Sequence, residues 1–164
     1  MTLSKSSRWS EHRIRRRVQF HETDAAGIVH FSCFFRYMEE AEHALWREAG
    51  LSIARRGHEL GWPRVAASFE FRQPLYFEDE FQARVRITAI TNRTIQYACA
   101  LTKAGETVAT GSMTIACVLQ KPNEPMRSVA IPPEITERLH VDPGPSTGPG
   151  PALSDAEGAA GERA

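Results

Sequence analysis

The spacing of hydrophobic and polar positions changes twice along this chain. From Arg13 to His21, Ile14, Val18 and Phe20 alternate with Arg15, Arg17 and Gln19, the two-residue period of a half-buried strand. Between residues 31 and 49 the period lengthens, and Phe31, Phe34, Phe35, Met38, Ala41, Leu45 and Ala49 recur at intervals of three and four. That spacing predicts an amphipathic helix with one face made for burial. Arg36 and Glu40, and Glu39 and His43, stand one turn apart for side-chain pairing, and Gly50 is placed to end the helix. After a loop over 55–63, alternation returns in four stretches. Val65, Ala67, Phe69 and Phe71 alternate with Ser68, Glu70 and Arg72, and Phe81, Ala83, Val85, Ile87 and Ala89 with Gln82, Arg84, Arg86 and Thr88. Ile95, Tyr97, Cys99 and Leu101 make a third apolar row, and Ala109, Met113, Ile115, Cys117 and Leu119 a fourth.

The connections at 91–93 and 103–106 are short enough for hairpins, so the sheet is expected to be antiparallel, with the long helix covering one face: an α+β fold. A short C-terminal helix is expected within 131–140, after Pro132-Pro133. Residues 1–11 are polar and read as a flexible arm, 12–140 as the domain, and 141–164 as a disordered tail. Pro, Gly, Ala and Ser dominate that tail, leaving too few large apolar residues to offset the entropy of ordering it.

Composition narrows the function. A chain of 164 residues fits one domain, and 20 Lys and Arg against 20 Asp and Glu leave no net charge, so the field expected of a nucleic-acid partner is missing. Cys33, Cys99 and Cys117 have neither disulfide-framework nor metal-ligand spacing and read as reduced thiols. No apolar run approaches the roughly 20 residues that span a bilayer, and the N-terminus lacks a signal-peptide core, which points to a cytoplasmic protein without a membrane partner. Phosphate-loop, dinucleotide and G-x-S-x-G patterns are also missing, so the expected chemistry uses no cofactor and no metal.

The place for chemistry is Thr23-Asp24-Ala25-Ala26-Gly27-Ile28-Val29, a small-residue turn that feeds the helix. Its single carboxylate, Asp24, lies just ahead of unsatisfied helix N–H groups that can polarise a carbonyl. An Asp here also serves as an N-cap or Asx-turn residue.

The strand, this turn, the aromatic-rich helix start, Arg36-Tyr37-Met38-Glu39 and Gly50-Leu51 follow in an order that resembles the 4-hydroxybenzoyl-CoA thioesterase branch of the hotdog-fold superfamily, with a weaker echo in Phe71 to Asp79. The resemblance covers about residues 12 to 120 and implies a sheet of about five strands wrapped around the helix. It implies an acyl-CoA thioesterase that releases a free carboxylic acid and coenzyme A, with Asp24 as nucleophile or general base. The backbone N–H at Phe31 would polarise the carbonyl, and a homodimer or homotetramer would be the working unit. Aromatic residues at the helix start suit an aryl or medium-length acyl chain, or serve the core.

Several residues have two readings each. Gly27, with Ile28 beside it, either lets substrate approach the backbone or serves the turn alone. His30 departs from the family's usual aromatic residue; it orients water or the acyl group, or is a hydrogen-bonded structural histidine. Glu39 matches the family's helix Glu and is expected to pair structurally with His43, whereas Glu42 lies within the apolar stripe, an unusual place for a charge. Ser68 either touches substrate or sits exposed on its strand. Arg13, Arg15, Arg16 and Arg17 discourage edge pairing, or else Arg15 and Arg17 meet the phosphates of coenzyme A. The alternative to an enzyme is a non-catalytic acyl-CoA-binding or regulatory module on the same fold.

Overall fold

The computed structural model of the protein describes residues 9–143. Segments 1–8 of the expected arm and 144–164 of the expected tail lie outside the described residues. Strands β1 (Glu11–Arg17), β3 (Arg64–Phe71), β4 (Glu80–Ile90), β5 (Thr94–Lys103) and β6 (Glu106–Ala116) form one antiparallel sheet in the order β1-β4-β5-β6-β3, with helix α1 (Phe31–Glu48) on its inner face. This is the α+β hotdog arrangement expected from the sequence.

The two periods account for how the layers meet. Phe81, Ala83, Val85 and Ile87 of β4, Ile95, Tyr97, Cys99 and Leu101 of β5, and Met113 and Ile115 of β6 are all buried. They face Phe34, Tyr37, Met38, Ala41, Leu45 and Trp46 of α1 within one hydrophobic cluster. The buried indole of Trp46 keeps its polar atom satisfied by donating from Nε1 to Tyr97 Oη at 3.0 Å. Gly111 stands opposite Phe69 in the β6–β3 register, and a Cβ there would lie 2.7 Å from the Phe69 ring and from the Ser68 carbonyl oxygen. The missing side chain lets Phe69 lie across the strand toward Phe34 and Phe35, whose rings it meets at 5.9 and 5.1 Å.

Several expectations need correction. The first strand ends at Arg17, and Phe20, read as part of its apolar row, is exposed in the 3₁₀ turn that follows. The apolar row of β3 is largely exposed, Val65 at 60% and Phe71 at 50%, because β3 is an edge strand that α1 only partly covers. Ala89 is not fully buried, since a bulge after Ile87 breaks the β4 alternation. The strand expected to run to Leu119 ends at Ala116, and β2 (Leu60–Gly61), β7 (Val118–Leu119) and β8 (Arg127–Ser128) form a small second sheet. The C-terminal helix shrinks to α2 (Pro133–Thr136). Glu40 turns away from Arg36 to pair with Arg16 of β1.

Both ends of the described chain are knit to the sheet. Trp9 N–H donates to Arg138 O and accepts through its carbonyl from His140 N, while Ile87 N donates to Ser10 O and Asp142 N to Ile87 O. Trp9 and Ser10, read from the sequence as part of the arm, and Val141 and Asp142, read as tail, therefore flank the β1–β4 ladder.

Candidate active site

The segment between β1 and α1 folds as a closed loop. A 3₁₀ turn at Phe20–Glu22 leads into an antiparallel bridge between Thr23 and Val29, and Asp24 N donates to Ile28 O while Gly27 N donates to Asp24 O, both at 2.9 Å. Gly27 has φ +77°, the left-handed conformation the turn requires, and a Cβ there would meet nothing within 4 Å. Its conformational freedom is thus what the turn uses. Ile28 in turn bridges Tyr76, and Val29 N donates to Leu75 O, which seats the loop on the segment before β4.

This loop leaves Asp24 half committed. Its Oδ1 accepts from Ala26 N at 2.8 Å, an Asx turn, and its second carboxylate oxygen makes no hydrogen bond within the described residues. The helix start lies alongside, because His30 N donates to Glu22 O across the same loop. His30 is the N-cap of α1. Its Nδ1 accepts from Ser32 N at 3.3 Å and lies 2.8 Å from Ser32 Oγ, while Cys33 N donates to His30 O. Two of the first three helical amides are thereby satisfied, and the Phe31 amide is left as the uncommitted donor at the positive end of the helix dipole. Among the described residues, a carboxylate oxygen and a backbone donor without hydrogen-bond partners flank one short loop.

Beneath the loop lies a polar cluster that sequence reading did not single out. Glu22 is buried, accepts from Arg16 Nη2 at 2.7 Å and from Gln19 N at 2.8 Å, and Arg16 also pairs with Glu40 and rests 5.1 Å above the Tyr37 ring. Burial, then the neighbouring Glu22 carboxylate, holds the Tyr37 hydroxyl neutral, far above its usual range. The Gln19/Glu22 spacing of a capping box was the available signal.

Other candidates are scattered. Ser68 lies on the sheet face opposite Phe69, its Oγ 3.0 Å from Ser112 Oγ, so the structure does not bring it to the loop. Arg15 and Arg17 are exposed on β1 and line a surface cleft of about 590 Å³ with Glu80, Gln82 and Thr102; Arg17 pairs with Glu80. Glu39 lies 4.0 Å from His43, the expected pair, and also 3.1 Å from Arg64. Glu42 is fully buried and pairs with Arg64 Nη2 at 2.5 Å, which explains a charge in the apolar stripe. Among the described residues no group of His, Cys, Asp and Glu could hold a metal ion, and no helix is long and apolar enough to cross a membrane.

Residues 18–139 match the model of the thioesterase-like superfamily. The chain belongs to that family. An Aquifex aeolicus protein that carries an esterase name is 34% identical over 126 residues, which is 76% of this chain and 94% of that protein. A crystal structure of a hypothetical protein from Aquifex aeolicus superposes with a TM-score of 0.72 at 33% identity, covering 78% of this chain and 98% of the other. The structure of a gentisyl-coenzyme A thioesterase superposes with a TM-score of 0.68 at 27% identity, over 75% of this chain and 98% of that one. The chain is a thioester hydrolase of the hotdog class.

Proposed function

We propose that thioester cleavage takes place at the Asp24 loop. The observation that carries this reading is the presence of an Asp24 carboxylate oxygen and a Phe31 amide, neither hydrogen-bonded among the described residues, on one loop closed by the His30 N–H to Glu22 carbonyl bond. The Phe31 amide would donate to the thioester carbonyl oxygen and stabilise the negative charge that develops there. Asp24 would either take a proton from the attacking water and return it to the departing sulfur, or attack the carbonyl carbon to form an acyl anhydride that water then hydrolyses, that water supplying the proton for sulfur; by either route the carbon–sulfur bond breaks, coenzyme A leaves as the thiol and the acid is released. His30 Nδ1 is used by the helix cap, which supports a supporting part for this ring. Exposed Phe31 opens α1 at the end of the loop and exposed Tyr76 bridges Ile28, and these two rings suit a flat or apolar acyl group.

The working unit we propose is a homo-oligomer. The outer edge of β3 pairs with no strand among the described residues and carries exposed Val65 and Phe71, so a second copy could continue the sheet there. Three free cysteines, all buried, suit the reducing cytoplasm in which we place it.

A thiol-release assay across aryl, medium-chain and short acyl-CoA esters tests the substrate class. An aryl ester is expected to give the highest kcat/KM. A higher kcat/KM with a medium-chain or short ester would overturn the aryl reading.

The cleft at β1 leads to a second expected result. Arg15→Ala with Arg17→Ala is expected to raise KM for acyl-CoA several-fold at nearly constant kcat, the pattern of lost uniform binding. A short thioester without the nucleotide should be cleaved equally by both proteins. An unchanged KM for the full ester would leave the two arginines as a solvated strand edge.

A further inference from the structure

Resting on the reading of Asp24 above, we infer that Glu22 is a positioning residue for the reaction, holding the Asp24 loop in register with the start of α1. Glu22 grips both ends of the loop with different parts of itself. Its carboxylate fixes the incoming side: Oε2 accepts from Gln19 N at 2.8 Å and Oε1 from Arg16 Nη2 at 2.7 Å. Its carbonyl fixes the outgoing side, accepting from His30 N at 2.9 Å and from Cys33 Sγ at 3.6 Å. Between these anchors lie only residues 23–29, with Asp24 and Ile28 facing each other across them.

Arg16 extends the grip to the third turn of the helix. It pairs with Glu22 and Glu40 at once and is steadied by the Tyr37 ring. One buried carboxylate therefore joins β1, the loop and α1, and its two oxygens are both occupied by donors. The distance between the Asp24 carboxylate and the Phe31 amide is set by where the loop closes, and it closes on the Glu22 carbonyl. Loosening the Glu22 side chain lets that carbonyl turn, and small misplacements of reacting groups are costly in rate. Substrate binding contacts are untouched, so the loss belongs in kcat.

The experiment compares Glu22→Ala, Glu22→Gln and Arg16→Met with the wild type by steady-state thiol release and by amide hydrogen exchange. Glu22→Ala is expected to lower kcat about ten- to thirtyfold, to leave KM within about threefold, and to speed exchange at His30 and Asp24 by roughly tenfold. Glu22→Gln, which keeps one acceptor oxygen, should recover kcat to within about threefold. Arg16→Met should fall between the two, and it keeps the test open if Glu22→Ala does not fold. Unchanged exchange and unchanged kcat would overturn the inference while leaving the Asp24 reading intact. Faster exchange with unchanged kcat would confirm that Glu22 holds the loop and instead overturn the loop as the site of cleavage. A loss carried wholly by KM would also overturn the inference.

Discussion

Asp24→Asn is expected to lower kcat by about a hundredfold or more while leaving the fold unchanged. The size follows from the proposed role, since a positioned base or nucleophile contributes roughly 10²- to 10⁴-fold, and a hundredfold corresponds to about 2.7 kcal/mol of barrier. The Asn side-chain oxygen can still accept from Ala26 N, so the Asx turn survives and only the charge is lost. An unaltered circular dichroism spectrum and Tm within about 2 °C would show that the comparison is clean. His30→Ala is expected to cost much less, because the ring's Nδ1 is spent on Ser32. Near wild-type kcat in Asp24→Asn would remove the loop from the mechanism, and equal losses in the two variants would raise His30 to an equal partner.

The second large effect concerns stability. Arg64→Met removes the partner of the fully buried Glu42, and breaking such a pair costs about 3–5 kcal/mol when both charges are out of water. Arg64 is partly exposed, its side chain at 30%, so about 2–4 kcal/mol is expected at pH 8. The pH dependence has a definite sign. Burial first, and the neighbouring Glu39 charge after it, raise the Glu42 carboxyl to about 7, although Arg64 pulls the other way. A folded value above the unfolded one means that the native state binds the proton more tightly. The stability this group contributes is complete below its ordinary value of 4.5 and is lost as pH rises through about 7. Wild type should therefore weaken between pH 5 and pH 8, and Arg64→Met should weaken more steeply because its carboxyl lies higher still. Glu42→Gln combined with Arg64→Met should regain most of the loss and lose the decline toward pH 8, leaving only the opposite slope of His43, whose ring burial holds below its ordinary value. Urea midpoints at the two pH values test this; an Arg64→Met deficit that is the same at both would show that Glu42 is not the titrating group.

Periodicity revealed the elements that are buried on one side and long enough to repeat. The three-and-four spacing from Phe31 to Ala49 predicted α1 nearly to the residue, although Phe31 itself is exposed, and the alternating rows of β4 and β5 match their buried faces up to the bulge before Ala89. It could not show which row would lack a cover. Val65 and Phe71 alternate as faithfully as Phe81 and Val85, yet β3 stands at the sheet edge, and exposure there depends on a neighbour that local pattern does not encode. The two-residue strands β2, β7 and β8 are too short to have a period. Asp24 was legible because one carboxylate stands among small turn residues, whereas Arg16 was hidden in a run of four basic side chains between residues 13 and 17. The two-residue period sets Arg16 in the row of Ile14 and Val18, but only the fold shows its partners there, Glu22 and Glu40, while Arg15 and Arg17 face outward.

The stitching of Trp9 and Ser10 to Arg138, His140 and Ile87 has a practical side. The two ends of the described chain emerge at one corner, beside Glu11 at the start of β1, and seven residues of strand separate that corner from Arg17, where the chain turns toward Asp24. At about 3.3 Å per residue this is a separation of about 20 Å. Fusion partners or surface tethers joined directly to Trp9 or Pro143 would therefore leave from the corner remote from the loop. A short peptide joining the two ends would also close the backbone into a ring, which could then be reopened at the exposed Gly57 loop to give a permuted chain with the same sheet order.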